Sequence, residues 1–193
     1  MKLTIDKSAI DDLLIAGCLK NSSPAQEAVY ERYSAKMYAV CIRYVGDTES
    51  AKDVMIQGFL KVFDKISQFK KEGSFEGWIR RIMVNESLNY LRKSKFMHLE
   101  VDLAAAEREP DYNFIQNTIE ANELIAMVNL LPPGYKTVFN LYAIEGYSHK
   151  EIAEMMDISE NTSKSQLSRA RKHLQQLLLK NEMLVDLKFT GNE

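Results

Sequence analysis

The chain has 193 residues, 46% hydrophobic and 27% charged, with 25 Lys and Arg against 27 Asp and Glu. Such a composition excludes a disordered or fibrous chain and suits one large domain or two small ones. The formal net charge of −2 argues against nucleic acid only until the distribution is read, because a polyanion meets local segments and not the sum.

No apolar run reaches bilayer length, and the opening MKLTIDKSAIDDLL lacks a signal-peptide pattern, so the expected location is the cytoplasm. Cys18 and Cys41 stand apart on predicted helices, and His98, His149 and His173 show no ligand spacing with them or with each other. Buried thiols are expected, without disulfide, metal or cofactor.

Nearly every segment has helical periodicity, and the expected fold class is all-α. Ser8 starts a first helix with Ile10, Leu13, Leu14 and Gly17 on one side. Ser23, Pro24 and Gln26 make a second helix start, followed by Val29, Tyr33, Met37 and Val40 facing inward as far as Gly46. Asp47 or Thr48 caps a third, with Ala51, Val54, Gly58, Val62 and Ile66 on one face. The turn Lys70–Gly73 ends it, and Ser74 opens a fourth that is apolar on several sides through Trp78, Ile79, Ile82, Met83, Leu88 and Leu91. A helix with that pattern belongs at the centre of a bundle.

These helices define a first domain, residues 1–94. Residues 95–117 lose periodicity and gather acids, which predicts an acidic linker, and 118–193 form a second domain. There a helix carries Ile119, Glu123, Ala126, Met127 and Leu130, Pro132 and Pro133 make a corner, and Tyr135–Glu145 form the next helix.

The stretch YSHKEIAEMMDISENTSKSQLSRARKHL follows. Ser148 and Glu151 have capping-box spacing, and Tyr147 and Ile152 occupy the staple positions. Asp157 falls at a sharp turn, and Ser159 caps a helix whose inward face is Ser163, Leu167, Ala170 and Leu174. Its outward face is Asn161, Lys164, Ser165, Ser168 and Lys172, flanked by Arg169 and Arg171. Hydrogen-bonding tips and cations in a row are what a major groove and its phosphates require, so the pattern predicts a DNA-binding helix-turn-helix. A surface helical hairpin with a solvated basic face fits the same spacing.

A second basic segment, GSFEGWIRRIMVNESLNYLRK, places aromatics (Phe75, Trp78, Tyr90), arginines (Arg80, Arg81, Arg92) and amides (Asn85, Asn89) on one helix and its leading loop. Aromatic faces beside cations can hold unpaired bases, although Phe75 and Trp78 at that spacing also fit a core. Between the basic segments, Arg108 alone stands among Glu100, Asp102, Glu107, Glu109, Asp111, Glu120 and Glu123. A stand-alone helix-turn-helix regulator with an N-terminal dimerisation bundle explains the second domain but not this segment. An all-helical enzyme finds no support, since there is no phosphate loop, no His-Glu metal pair and no nucleophile with a base.

Together with DVMIQGFLKVFDKISQF and LPPGYKTVFNLYAIEGYSHKEIAEMM, these stretches resemble bacterial RNA polymerase sigma factors of the extracytoplasmic-function group, which retain only regions two and four. The resemblance covers Leu13 to about Leu178. It implies core RNA polymerase and promoter DNA as partners and admits an anti-sigma factor. It implies no catalytic residue, cofactor, small-molecule substrate or membrane insertion. By the resemblance, Asp53, Gln57 and Phe59 lie in the polymerase-docking segment, and Trp78, Arg80, Arg81, Asn85 and Arg92 in the −10 segment. The loop 68–74 matches the one that helps hold a flipped base. Asn161, Lys164, Ser165, Ser168, Arg169 and Lys172 fall on the −35 helix. One departure stands out: Ile56 and Gln57 occupy positions where the family usually has Gln and an acid.

Overall fold

A computed structural model describes residues 7–94 and 121–190, with side chains described over 8–94 and 125–179. The expected linker, 95–117, lies outside the described residues. The chain divides after Ser94 into two compact units, all-helical among the described residues.

In the first unit, α1 (Lys7–Leu19), α2 (Ser23–Val45), α3 (Thr48–Asp64) and α4 (Phe75–Lys93) form a bundle, with a 3₁₀ turn at Ile66–Gln68. Pro24 lies in the first turn of α2, but the cap is Ser22, one residue earlier than expected, and its side chain bonds no backbone amide. Asp47 accepts from Ser50 N–H to start α3, and Ser74 accepts from Gly77 N–H to start α4. Gly46 ends α2 with φ 81°, a left-handed value that suits a residue without Cβ. The expected inward faces of α2 and α3 are buried throughout.

α4 packs against both α2 and α3 and buries Phe75, Ile79, Met83, Val84, Leu88 and Leu91. It is not alone at the centre: α2 packs on α3 and α4 alike and carries α1 as well, and Trp78 and Ile82 stay half-exposed. Gly58 of α3 lets it approach Met83 so closely that a Cβ would overlap the thioether. Cys41 is fully buried and its thiol is pushed up to about 11 by desolvation, which makes it inert.

α1 departs from expectation. Ile15 and Cys18 are buried, whereas Leu13 is 75% exposed. The reason is polar: Asp11 turns inward to accept from Tyr33 Oη at 2.6 Å and to pair with Arg32 Nε at 3.2 Å. An acid on the inner face shifts the contact stripe and hides it from a hydrophobic count.

The second unit has α5 (Ala121–Asn129), α6 (Pro133–Phe139), a π-helical segment (Asn140–Ile144), α7 (His149–Met156) and α8 (Glu160–Thr190). Of the positions expected on α5, Met127 is buried but Ala126 and Leu130 are exposed; Ile119 lies outside the described residues, and so does the side chain of Glu123. Because α5 stops at Asn129, Leu131 turns inward instead. It joins Met127, Val128, Ala170 and Leu174 in a core that Tyr135 and Phe139 flank. The corner prolines do not merely end a helix: Pro132 caps α6 and Pro133 opens it, with its fixed φ suited to a first turn. The helix expected over Tyr135–Glu145 changes to π geometry at Asn140, where Glu145 N–H bonds the Asn140 carbonyl.

Candidate nucleic-acid interface

The helix-turn-helix is held by local chemistry at each junction. Ser148 N–H donates to Glu151 Oε2 at 2.8 Å while Glu151 N–H donates to Ser148 Oγ at 3.3 Å, completing the capping box. Asp157 ends α7 in the left-handed region, φ 55° and ψ 49°. Ser159 Oγ then accepts from Thr162 N–H at 2.9 Å and starts α8. Ile152 and Met156 of α7 and Ser163, Leu167, Ala170 and Leu174 of α8 are all buried, so α8 packs inward through the face read from its sequence.

That crossing leaves the opposite side of α8 in water. Asn161, Lys164, Ser165 and Lys172 are exposed, and Ser168, Arg169 and Arg171 are half-buried. The exposed positions recur at helical spacing and form one stripe. Two tips are engaged within the helix: Lys164 Nζ pairs with Glu160 Oε1 at 2.8 Å, and Ser165 Oγ donates to the Thr162 carbonyl at 3.0 Å. Arg171 turns back, its guanidinium 5.7 Å from the centroid of the Tyr142 ring.

His149 was not singled out for any role in the sequence, yet it joins three elements. Its Nδ1 lies 2.9 Å from Ser163 Oγ, and its ring stacks on Tyr142 at 4.7 Å. Burial holds its pKa below the ordinary imidazole value, helped by Lys164 and Arg171 and opposed by Glu160. Periodicity along one helix carries no signal for such a contact. The Glu160–Lys164 pair, four residues apart, was legible from spacing.

In the first unit, Trp78, Arg81, Asn85, Asn89 and Arg92 follow one another at three- and four-residue steps along α4. Arg81, Asn85 and Arg92 are exposed, and Trp78 is half-buried. Trp78 stacks on Phe75 at 6.0 Å and meets Phe69 at 5.4 Å, so part of the indole is core while the remainder lines a cleft. That cleft, about 350 Å³, is also lined by Gln68, Lys70, Glu72 and Arg81. Arg80 leaves the stripe and lines a larger cleft of about 720 Å³ with Asp11, Asp12 and Lys71. The neighbouring arginines therefore serve opposite sides of the loop before α4. Lys71, left-handed at φ 59°, ties that loop to α1 by pairing with Asp12. Arg92 bonds Asn89, whose amide bonds Glu86 at 3.0 Å.

On α3, Asp53 and Gln57 are exposed, and so are Ile56 at 46% and Leu60 at 57%. Phe59, expected on the same docking segment, faces the other way. It is 3% exposed, with its ring 5.0 Å from Tyr30 and 6.3 Å from Phe63. Its place is the core, and the apolar surface of α3 belongs to Ile56 and Leu60.

Among the described residues no group of His, Cys, Asp or Glu is placed to hold a metal ion, and no helix is long and apolar enough to cross a membrane. A capped helix-turn-helix with a polar and cationic outer stripe, on a chain with a second helical unit, places the protein in the class of helix-turn-helix transcription proteins. Residues 29–96 match Sigma-70 region 2 and residues 121–174 match Sigma-70, region 4. The chain belongs to the sigma-70 family, in its extracytoplasmic-function (ECF) group. It is 29% identical over 177 residues to the ECF RNA polymerase sigma-E factor of Haemophilus influenzae, covering 86% of this chain and 93% of that one. It is 27% identical over 171 residues to the ECF RNA polymerase sigma factor SigW of Bacillus subtilis, covering 82% and 91% respectively. The fold is similar to that of the sigma factor RpoE of Bartonella quintana, solved with the anti-sigma factor NepR. That match has a TM-score of 0.50 and 21% identity over 79% of this chain and 95% of that one.

Proposed function

We propose that this chain binds core RNA polymerase in the cytoplasm and directs it to promoters. In this reading α8 enters the major groove of the −35 element. The α4 stripe and the cleft beside Trp78 hold the −10 element as it melts. The exposed face of α3, with Asp53, Ile56, Gln57 and Leu60, docks on the polymerase. Residues 1–94 thus carry docking and −10 recognition, 118–193 carry −35 recognition, and the acidic stretch 95–117 joins them. The chain itself catalyses no step, since the polymerase makes the RNA. An anti-sigma factor is a further partner that the family reading admits.

The observation that carries this reading is the α4 stripe of Trp78, Arg81, Asn85 and Arg92 on a unit separate from the helix-turn-helix. A stand-alone regulator has no use for a second surface of aromatic and cationic groups. Phosphate contacts would set position, base edges would be read by α8, and capture of an unpaired base would offset part of the unstacking cost of a few kcal/mol.

Transcription with purified core polymerase on fragments of the source genome tests the reading. Discrete start sites downstream of paired −35 and −10 sequences are expected only when the chain is added. Start sites that do not depend on it, or a dimer footprint on a palindrome without polymerase, would overturn it.

A further inference from the structure

Glu160 interrupts a cationic surface. It is the first residue of α8, one turn before Lys164, whose Nζ meets its Oε1 at 2.8 Å. Both side chains are about half exposed, at 50% for Glu160 and 55% for Lys164. Among the described residues the second carboxylate oxygen, Oε2, takes no bond. The hydrogen bond and charge of Lys164, with smaller contributions from His149 and Lys150, hold the carboxyl below the ordinary range, so it stays an ionised acceptor.

An exposed pair of this kind adds little to stability in water, and an acid in the first turn of a helix adds only about 0.3–1 kcal/mol through the helix dipole. Facing phosphate, it would only repel. At the start of a helix that reads DNA, where residues meet base edges, one setting favours it. A carboxylate accepts from the exocyclic N4 amino group of cytosine, whose own ring offers no other acceptor in the major groove. Adenine places its N7 acceptor next to N6 and so repels the second oxygen. The guanine paired with that cytosine presents O6 and N7, the usual targets of a lysine. Within a G·C pair, guanine O6 and cytosine N4 are hydrogen-bonded to each other. Their separation therefore matches that of an ammonium bonded to a carboxylate.

We infer that Glu160 is a specificity-determining residue: with Lys164 it reads one G·C pair of the −35 element, the carboxylate on cytosine N4 and the ammonium on guanine O6 and N7. The inference rests on the −35 reading of α8 proposed above.

The test uses the full chain bound to core polymerase and a promoter library randomised across the −35 element, with the bound DNA sequenced. Wild type should select a fixed G·C pair at one position. Glu160→Gln should lower that preference about tenfold and admit A·T there, because an amide matches adenine N6 and N7. Lys164→Ala should relax the same position. Several outcomes overturn the inference: Glu160→Gln strengthens all sequences alike, as loss of phosphate repulsion would; it weakens all alike, as a role in starting the helix would; or the two variants relax different positions. If the wild-type holoenzyme selects no −35 sequence at all, the proposed function falls with it.

Discussion

Lys164 and Lys172 share the exposed stripe of α8 but stand two turns apart, which suits them to different contacts. Lys164 lies near the helix start, where base edges are within reach, and Lys172 lies where the helix leaves the groove beside phosphate. Lys164→Ala should therefore change preference among −35 variants by about 1–3 kcal/mol per contacted base pair. Lys172→Ala should weaken all sequences alike and lower the salt slope by about one. Binding of the holoenzyme to a panel of −35 variants at several salt concentrations distinguishes the two, and a uniform loss for Lys164→Ala would remove it from base reading. His149 makes a separate prediction about pH. Its folded-state pKa lies below the unfolded value of about 6.5, chiefly through burial, so the folded state favours the neutral ring. The stability that follows is fully present above the unfolded value and is lost as pH falls through the folded one. Unfolding followed by circular dichroism should show the second unit weakening as pH falls below the ordinary imidazole value of about 6.5. His149→Gln should flatten that dependence, and an unchanged slope would exclude the ring as its source.

Phe59 shows at the scale of the element what spacing can and cannot reveal. The face of α3 with Ala51, Val54, Gly58 and Val62 was legible because each apolar residue recurs at helical steps, and all four are buried. Phe59 adjoins that face, and only packing against Tyr30 and Phe63 settles which way its ring turns. The two kinds of residue separate cleanly by experiment. Phe59→Ala should cost about 3–5 kcal/mol of stability, as large core truncations do. Asp53→Lys and Leu60→Ser should leave the unfolding midpoint within about 0.5 kcal/mol and instead weaken binding in a pull-down with core polymerase. Undiminished binding by both would move the docking surface off α3. Gln57→Glu, which restores the usual acid, should strengthen that binding. Trp78, the only tryptophan of the chain, reports the first unit by fluorescence and so keeps its stability apart from that of the second. Other elements resisted reading for physical reasons. The stripe of α1 is masked by Asp11, whose partners Tyr33 and Arg32 come from α2. The π segment at Asn140–Ile144 leaves apolar spacing nearly unchanged while altering the turn that delivers Tyr142 to His149. The capping box and the left-handed Asp157 were legible because both depend on residues adjacent in sequence.

The whole molecule is weakly acidic at −2, although each unit presents a cationic stripe, and this contrast leads to a prediction about when it binds DNA. Non-specific affinity grows with the number of phosphates neutralised. Each stripe supplies few cations: Arg81 and Arg92 on α4, Lys164, Arg169 and Lys172 on α8. Lys164 is already paired with Glu160, and Arg92 with Asn89, so part of that capacity is engaged before DNA arrives. Between the two basic segments the sequence from Glu100 to Glu123 is rich in acids, which repel DNA within a Debye length of about 8 Å at physiological salt. Two weak modules on one chain gain from each other only when their separation matches that of their sites. Docking of α3 on core polymerase would hold the first unit at the −10 element and raise the effective concentration of the second near −35. The free chain should therefore give little or no promoter complex in gel shifts at physiological salt, and a specific complex should appear on adding core polymerase. Charge reversal at Asp53 should reduce that gain while leaving the free chain as weak as before. A free chain that binds a palindrome as a dimer at nanomolar concentration would reject this account in favour of a stand-alone regulator.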